Sequence, residues 1–426
     1  MTRMEHSDLE IMAPAGNFEC LEAALQAGAD SVYFGVGQLN MRSRSANNFT
    51  ESDLDEVVRR CHRSGAKAYL TLNITLYQGD LAPMRSLLRR AKEAGIDAVI
   101  ASDMACIAFC REIGLSVHIS TQLSLSNLES LRFYAAYADV AVLARELDLA
   151  QVRQISDGIR EEGITGPAGQ PVRLEMFVHG AVCMAVSGRC YLSLHAYGAS
   201  ANRGACYQVC RRSYLLTDAE TGEQLQLEHP YLLSPKDLCT IAYLDRIVDA
   251  GVRVFKIEGR ARSAEYVRRT VSCYRQAADA VADGTFTEAL GKQLEEKLAE
   301  VFNRGFWEGF YQGAPMGQWS TRYGSQATRC KTYVGKVTNW FDRIGVAEIQ
   351  LESGRLAVGD DILVIGATTG VYEGKVTQIR LETDPVPEAV KGDLCSVPIA
   401  FGADWTGERK LRRGDRVYLW EEADRG

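Results

Sequence analysis

No stretch of this 426-residue chain stays apolar for the roughly 20 residues that a bilayer-spanning helix needs. Its first residues, MTRMEHSDLEIMAPAG, lack the apolar core of a secretory leader, so a cytoplasmic protein is the expectation. Positive charge is not in excess either. The net charge is −7, which argues against a surface coated for nucleic acid while leaving room for a local basic cleft. No glycine-rich dinucleotide fingerprint follows the first apolar run. Only six histidines are present. Charged residues at 24% and apolar residues at 46% are ordinary for a globular protein with a large core.

Thiols are what the chain has in excess. Twelve cysteines in a cytoplasmic setting mean reduced thiols rather than a disulfide framework. Eight are scattered, and core filling accounts for Cys20, Cys61, Cys106, Cys110, Cys273, Cys330 and Cys395. The eighth, Cys239, lies close enough in sequence to approach the remaining four. Those four fall within 28 residues: six residues separate Cys183 from Cys190, fifteen separate Cys190 from Cys206, and three separate Cys206 from Cys210. They sit among turn formers and basic residues (Arg189, Arg203, Arg211, Arg212), an environment expected to lower thiol pKa and favour metal-binding thiolates.

A helical stretch, a small residue plus glycine, and a β-rich run recur as a phrase. It appears at Ala27-Gly28, Ser64-Gly65, Ala94-Gly95, Ile113-Gly114 and Ala250-Gly251. A glycine after a helix adopts the left-handed conformation cheaply and turns the chain back to a strand. Eight such runs are expected as strands: LEIMAP, SVYFGV, AYLTLNI, AVIAS, SVHIS, VAVLA, RLEMFVHG and RVFKIEG. Helices are expected between them at 17–27, 52–63, 81–94, 103–112, 125–137 and 147–161, and after them at 263–283 and 286–302. Eight buried strands alternating with helices favour an α/β fold of the (β/α)8, TIM-like barrel type over a doubly wound open sheet. From about Tyr333 only short strands with turn signals remain, expected as a small all-β barrel or sandwich. The domains are therefore a barrel over 1–315, with a cysteine-rich loop at 180–213, and a C-terminal β-barrel domain over 330–426.

Barrels of this type keep their chemistry at the C-terminal ends of the strands. Polar residues there are Asn73, Ser120, Gln122, Arg145, Glu146, Glu175, His179, Lys256, Glu258 and Arg260. Arg42 and Arg44, in the loop after the second strand, are a candidate carboxylate or phosphate site. The catalytic candidates are Glu175, His179, Glu258 and Asn73; the substrate- or donor-binding candidates are Arg42, Arg44, Gln122, Arg145, Lys256 and Arg260. Because the cysteine loop begins just after His179, composition and position agree. Four thiolates suit an iron–sulfur cluster or structural zinc. Zinc ribbons usually show two tight knuckles, and only Cys206 and Cys210 form one. A Cys183–His179 nucleophile is a third reading, which leaves three cysteines without a task.

The segments FVHGAVCMAVSGRCYLS, ANRGACYQVCR, LLSPKDLC and FKIEGRARSAEYV resemble peptidase family U-32, the collagenase-like peptidases. The opening LEIMAPAGNFECLEAALQAGADSVYFGV and the later FNRGFWEGF extend the resemblance over nearly the whole chain, within the branch of tRNA hydroxylation protein P and other RNA hydroxylases. That resemblance implies an iron–sulfur enzyme hydroxylating a pyrimidine in RNA, such as the wobble uridine of tRNA, to 5-hydroxyuridine. It implies Cys183, Cys190, Cys206 and Cys210 as ligands of a [4Fe–4S] cluster, with Cys239 in reserve, and prephenate as a hydroxyl donor. The family name implies peptidase activity as the alternative, although no metalloprotease helix motif is present and no serine triad can be assembled. A zinc-stabilised module binding RNA or another partner is a further alternative. The short bridge SYLLTDAETGEQLQLEHPYLLSPKDL departs from the tRNA-type pattern, which carries an insertion before PKDL.

Overall fold

A computed structural model describes residues 6–44, 47–225, 230–313, 318–402 and 405–423. Eight parallel strands form its first sheet: Glu10–Ala15, Ser31–Phe34, Lys67–Leu72, Ala98–Ala101, Val117–Ile119, Val140–Val142, Arg173–Gly180 and Val252–Ile257. Each pairs with the next, and the eighth pairs with both the seventh and the first, so the sheet closes into the expected barrel. Between consecutive strands run helices Phe18–Gln26, Leu54–Arg63, Leu81–Glu93, Met104–Glu112, Leu128–Ala135 and Leu149–Glu162. The glycine ending each repeated phrase has the left-handed backbone expected of it, with φ of 82° at Gly28 and 98° at Gly251.

Strand alternation divides the barrel residues into two sets. Ile11, Ala13, Val32, Leu70 and Val99 face the helices and join the main apolar core. Met12, Tyr33, Tyr69, Ile100 and Val254 form a separate cluster, the barrel's own interior. Polar side chains share that interior. Glu10 is 3% exposed and accepts hydrogen bonds from Ser31, Tyr69 and Arg173. Burial alone would push its carboxyl up, yet Arg173 and Lys67 hold it at about 2.

Two short strands that the sequence reading did not anticipate extend the barrel sheet. Asp237–Cys239 pairs antiparallel with the end of the seventh strand, setting Cys239 opposite His179, and Phe306–Trp307 pairs alongside it. Beyond them lies an antiparallel sheet of eight strands, in which Arg329–Phe341 pairs with both Val346–Leu351 and Arg416–Glu422. This sheet has its own core, including Val334, Val337, Ile349 and Val364. Other residues of the same sheet, Leu363, Val371 and Trp420, belong to the main core instead, so the two units share an apolar contact. Gln26 at the end of the first helix reinforces it by donating to the Thr369 carbonyl at 2.6 Å.

Candidate active site at the barrel mouth

A cavity of about 360 Å³ lies at the C-terminal ends of the barrel strands. Strand ends supply Tyr33, Thr71, Asn73, Ser120, Arg145, Phe177 and Lys256; the cysteine-rich loop supplies much of the remaining wall, and Arg42, Glu258, Arg260 and Arg304 help complete it. That loop is secured at both ends. Arg211 donates to the Val182 and Pro235 carbonyls at 2.6 and 2.5 Å, tying its exit to its entry. Midway, Arg203 pairs with Asp80, and the Thr75 amide donates to the Asn202 carbonyl at 3.1 Å. Gly204 fits against the second-strand loop so closely that a Cβ would lie 2.1 Å from Ser43 Oγ, and this position needs φ of 85°.

Cys183, Cys190, Cys206 and Cys210 all line this cavity as free thiols, Cys183 exposed and the others half-buried. They are the side chains able to ligate a metal centre here. Among the described residues, no three His, Cys, Asp or Glu are grouped as for a single metal ion. Burial raises the Cys210 thiol, and the nearby Arg211 only partly offsets this. The expectation of broadly depressed thiols therefore needs correcting at Cys210. Two of the four arginines proposed to depress them are engaged elsewhere, Arg203 against Asp80 and Tyr77 and Arg212 over the Tyr197 ring.

Charge at the mouth is organised around three contacts, the first half-buried and the others buried. Arg42 Nη2 donates to Glu258 Oε1 at 2.7 Å. Burial favours the neutral acid, but Arg42, Arg145 and Arg260 outweigh it and hold Glu258 at about 2. Lys256 Nζ donates to Glu175 Oε1 at 2.6 Å, while His118 Nδ1 lies 3.4 Å from Glu175 Oε2. Against its burial, Lys256 and His118 keep Glu175 below the usual carboxylate range. Arg260 is 5% exposed and donates to Asn40 and Thr71; burial pulls it down to about 10. Arg145 lies 3.8 Å over the Phe177 ring and donates to the Ala181 carbonyl, leaving its buried Nε without a partner. Asn73 Nδ2 donates to Ser120 Oγ, which donates in turn to Gln122.

The structure thus brings together Asn73, Gln122, Arg42, Arg145, Lys256, Glu258, Arg260 and the four loop cysteines. Glu175 lies beneath them in the barrel interior and reaches the cavity only through Lys256. Three other candidates are placed elsewhere. His179 points into a cage of Tyr266, Tyr274 and Phe306, where burial drives its imidazole down to about 3 and leaves Nδ1 without a partner. Cys239 is 6% exposed outside the cavity, and burial pushes its thiol up. Arg44 lines a neighbouring recess. Tyr33, which lines the cavity, and His118, which lies beneath it against Glu175, were missed. Both project inward by strand alternation, Tyr33 from SVYF and His118 between outward Val117 and Ile119, and that alternation was a usable signal.

The model of peptidase family U32 matches residues 16–321. The chain belongs to this family. It is 52% identical over 421 residues to "Collagenase" of Porphyromonas gingivalis, covering 99% of this chain and all of that protein. It is 32% identical over 365 residues to tRNA hydroxylation protein P1 of Bacillus subtilis, covering 84% and 83% of the two chains. With the 23S rRNA 5-hydroxycytidine C2501 synthase of Escherichia coli it shares 37% over 314 residues, 72% of this chain and 45% of that protein. The chain is thus similar both to proteins named for RNA hydroxylation and to a protein named as a collagenase. Among the described residues, no helix is long and apolar enough to cross a membrane.

Proposed function

We propose that this U32 protein is an RNA-modifying enzyme that hydroxylates a pyrimidine, the wobble uridine of tRNA being the leading target and 5-hydroxyuridine the product. One observation carries the reading: a single cavity is lined by four free thiols and seven cationic side chains against one carboxylate, Glu258. Cys183, Cys190, Cys206 and Cys210 would hold a [4Fe–4S] cluster. A four-iron cube takes its thiolates at its corners, farther apart than a single tetrahedral ion takes four, which suits thiols that share a wall without converging. When bound, the cluster supplies one-electron redox chemistry.

The chain's own residues would bind and orient. The guanidinium groups of Arg145 and Arg260, beside the Arg42–Glu258 pair, suit a dicarboxylate donor of the prephenate type. Asn73, Ser120 and Gln122 offer amide and hydroxyl groups to the polar edge of a pyrimidine. Glu175 orients the Lys256 ammonium towards the cavity. Glu258, held ionised, serves as an acceptor that fixes Arg42 and does not deliver a proton near neutral pH.

The collagenase-named relative, at 52% identity, favours hydrolysis of collagen-like peptides as a second reading. Against it, no histidine among the described residues lines the cavity, so no thiol there has a histidine base beside it. Anaerobic purification with iron and sulfide assay, followed by peptide cleavage assays, separates the readings. Brown protein with about four irons and no peptidase activity is expected. Colourless protein that cleaves collagen-like peptides would overturn the proposal, and one zinc without turnover would point to a binding module.

A further inference from the structure

The loop after the second strand sends its two arginines to different places. Arg42 enters the main cavity and is neutralised by Glu258. Arg44 is exposed and has no carboxylate partner among the described residues. It lines a separate recess of about 350 Å³ together with Gly16, Asn17, Asn47 and the segment Arg260–Arg262. No aspartate or glutamate lines that recess. Three arginines around one small hollow, in a chain of net charge −7, are a local reversal of sign.

Position matters as much as charge. The recess and the main cavity share Arg260, Ala261 and Arg262, so they adjoin across one stretch of backbone. Gly16 lets the first- and eighth-strand loops meet there, since a Cβ would lie 2.3 Å from the Arg260 carbonyl oxygen. Arg260 is occupied by Asn40 and Thr71, and Arg262 lies 3.9 Å from Asp237 and stacks over Phe302. Arg44 alone of the three has a guanidinium with no hydrogen-bond or ion-pair partner among the described residues. Its backbone is nevertheless fixed, because its amide donates to the Gly204 carbonyl at 3.3 Å. The recess offers the Arg44 guanidinium beside Asn17 and Asn47 and almost no apolar wall, which suits a phosphate and not a base.

We propose that this recess binds a backbone phosphate of the substrate RNA, next to the nucleotide whose base enters the main cavity. The inference rests on the RNA reading above. Its test is fluorescence anisotropy of anaerobically purified holo-protein with a labelled single-stranded, uridine-containing oligoribonucleotide across a salt series. Equilibrium dialysis with inorganic phosphate reads the recess by itself. Arg44→Gln should weaken RNA binding about tenfold, the weight of one charge-assisted hydrogen bond. It should also flatten the salt slope by about 0.7, one phosphate contact on a single strand. Arg44→Lys should fall between, and inorganic phosphate should bind wild type but not Arg44→Gln. An Arg44→Gln protein with wild-type affinity and slope overturns the recess while leaving RNA as substrate. Wild-type protein that binds no RNA overturns the RNA reading, whatever phosphate does.

Discussion

Arg42 and Glu258, 216 positions apart in the sequence, meet across the barrel mouth in a 2.7 Å hydrogen-bonded ion pair. The contact joins the second-strand loop to the end of the eighth strand, beside the seam where the barrel closes. It also determines which arginines face the cavity with unspent charge.

Removing the carboxylate should therefore harm both stability and binding. Glu258→Gln is expected to cost roughly 2 kcal/mol in denaturant unfolding, because it leaves a half-buried guanidinium without its counter-charge. The pH dependence has a definite sign. Glu258 titrates at about 2 when folded and near 4.5 otherwise, so its stabilisation is present above 4.5 and lost as pH falls towards 2. Wild-type protein should lose stability across that window more steeply than Glu258→Gln. Parallel curves would show that the pair contributes nothing.

Beneath it, Lys256 and Glu175 form a second buried pair, at 2.6 Å. Glu175→Met and Lys256→Met should each destabilise by about 3–5 kcal/mol, since each leaves an unpaired charge in the barrel. The double variant should recover much of that loss. A double-mutant cycle with additive costs would mean the two groups do not interact.

His179 should matter to folding and not to proton transfer. Its imidazole titrates at about 3 when folded and near 6.5 when exposed, so the unfolded chain binds the extra proton between those values. Stability should therefore drop as pH is lowered from 6.5 towards 3, by up to about 1.4 kcal/mol per unit from this one group. His179→Phe should remove that component and leave the pH profile of activity unchanged. A shifted activity profile would return His179 to the reacting centre.

The cysteines divide into two groups. Single replacement of Cys183, Cys190, Cys206 or Cys210 by Ser should lower bound iron and bleach the visible absorbance of anaerobic protein. Cys239→Ala should keep full iron content and cost only about 1 kcal/mol, as a small core truncation. Iron loss on replacing Cys239 would show that it replaces one of the four.

Much of this architecture was legible from residue pattern. The barrel strands announced themselves because parallel strands buried on both faces read as continuous apolar runs, five of them preceded by a helix and a left-handed glycine. The thiol loop was legible because four cysteines among turn formers serve no core. What the pattern concealed depended on short, non-local pairings. Asp237–Cys239 is too short to show a period, yet its antiparallel pairing with Leu238 opposite Gly180 draws Cys239 and His179 away from the mouth. Arg42 and Arg44 looked equivalent because a loop has no period from which to read direction. YEGKVTQIRL read as one strand and is two, Gly370–Lys375 and Ile379–Leu381, each ending at a different sheet neighbour.

The most direct test of the account is nucleoside mass spectrometry of tRNA and rRNA from cells lacking this protein, complemented with wild type or with Cys206→Ser. The account predicts that a hydroxylated pyrimidine, 5-hydroxyuridine or a derivative, disappears in the deletion, returns with wild type, and stays absent with Cys206→Ser. Unchanged hydroxypyrimidines in the deletion strain, or full restoration by Cys206→Ser, would contradict it.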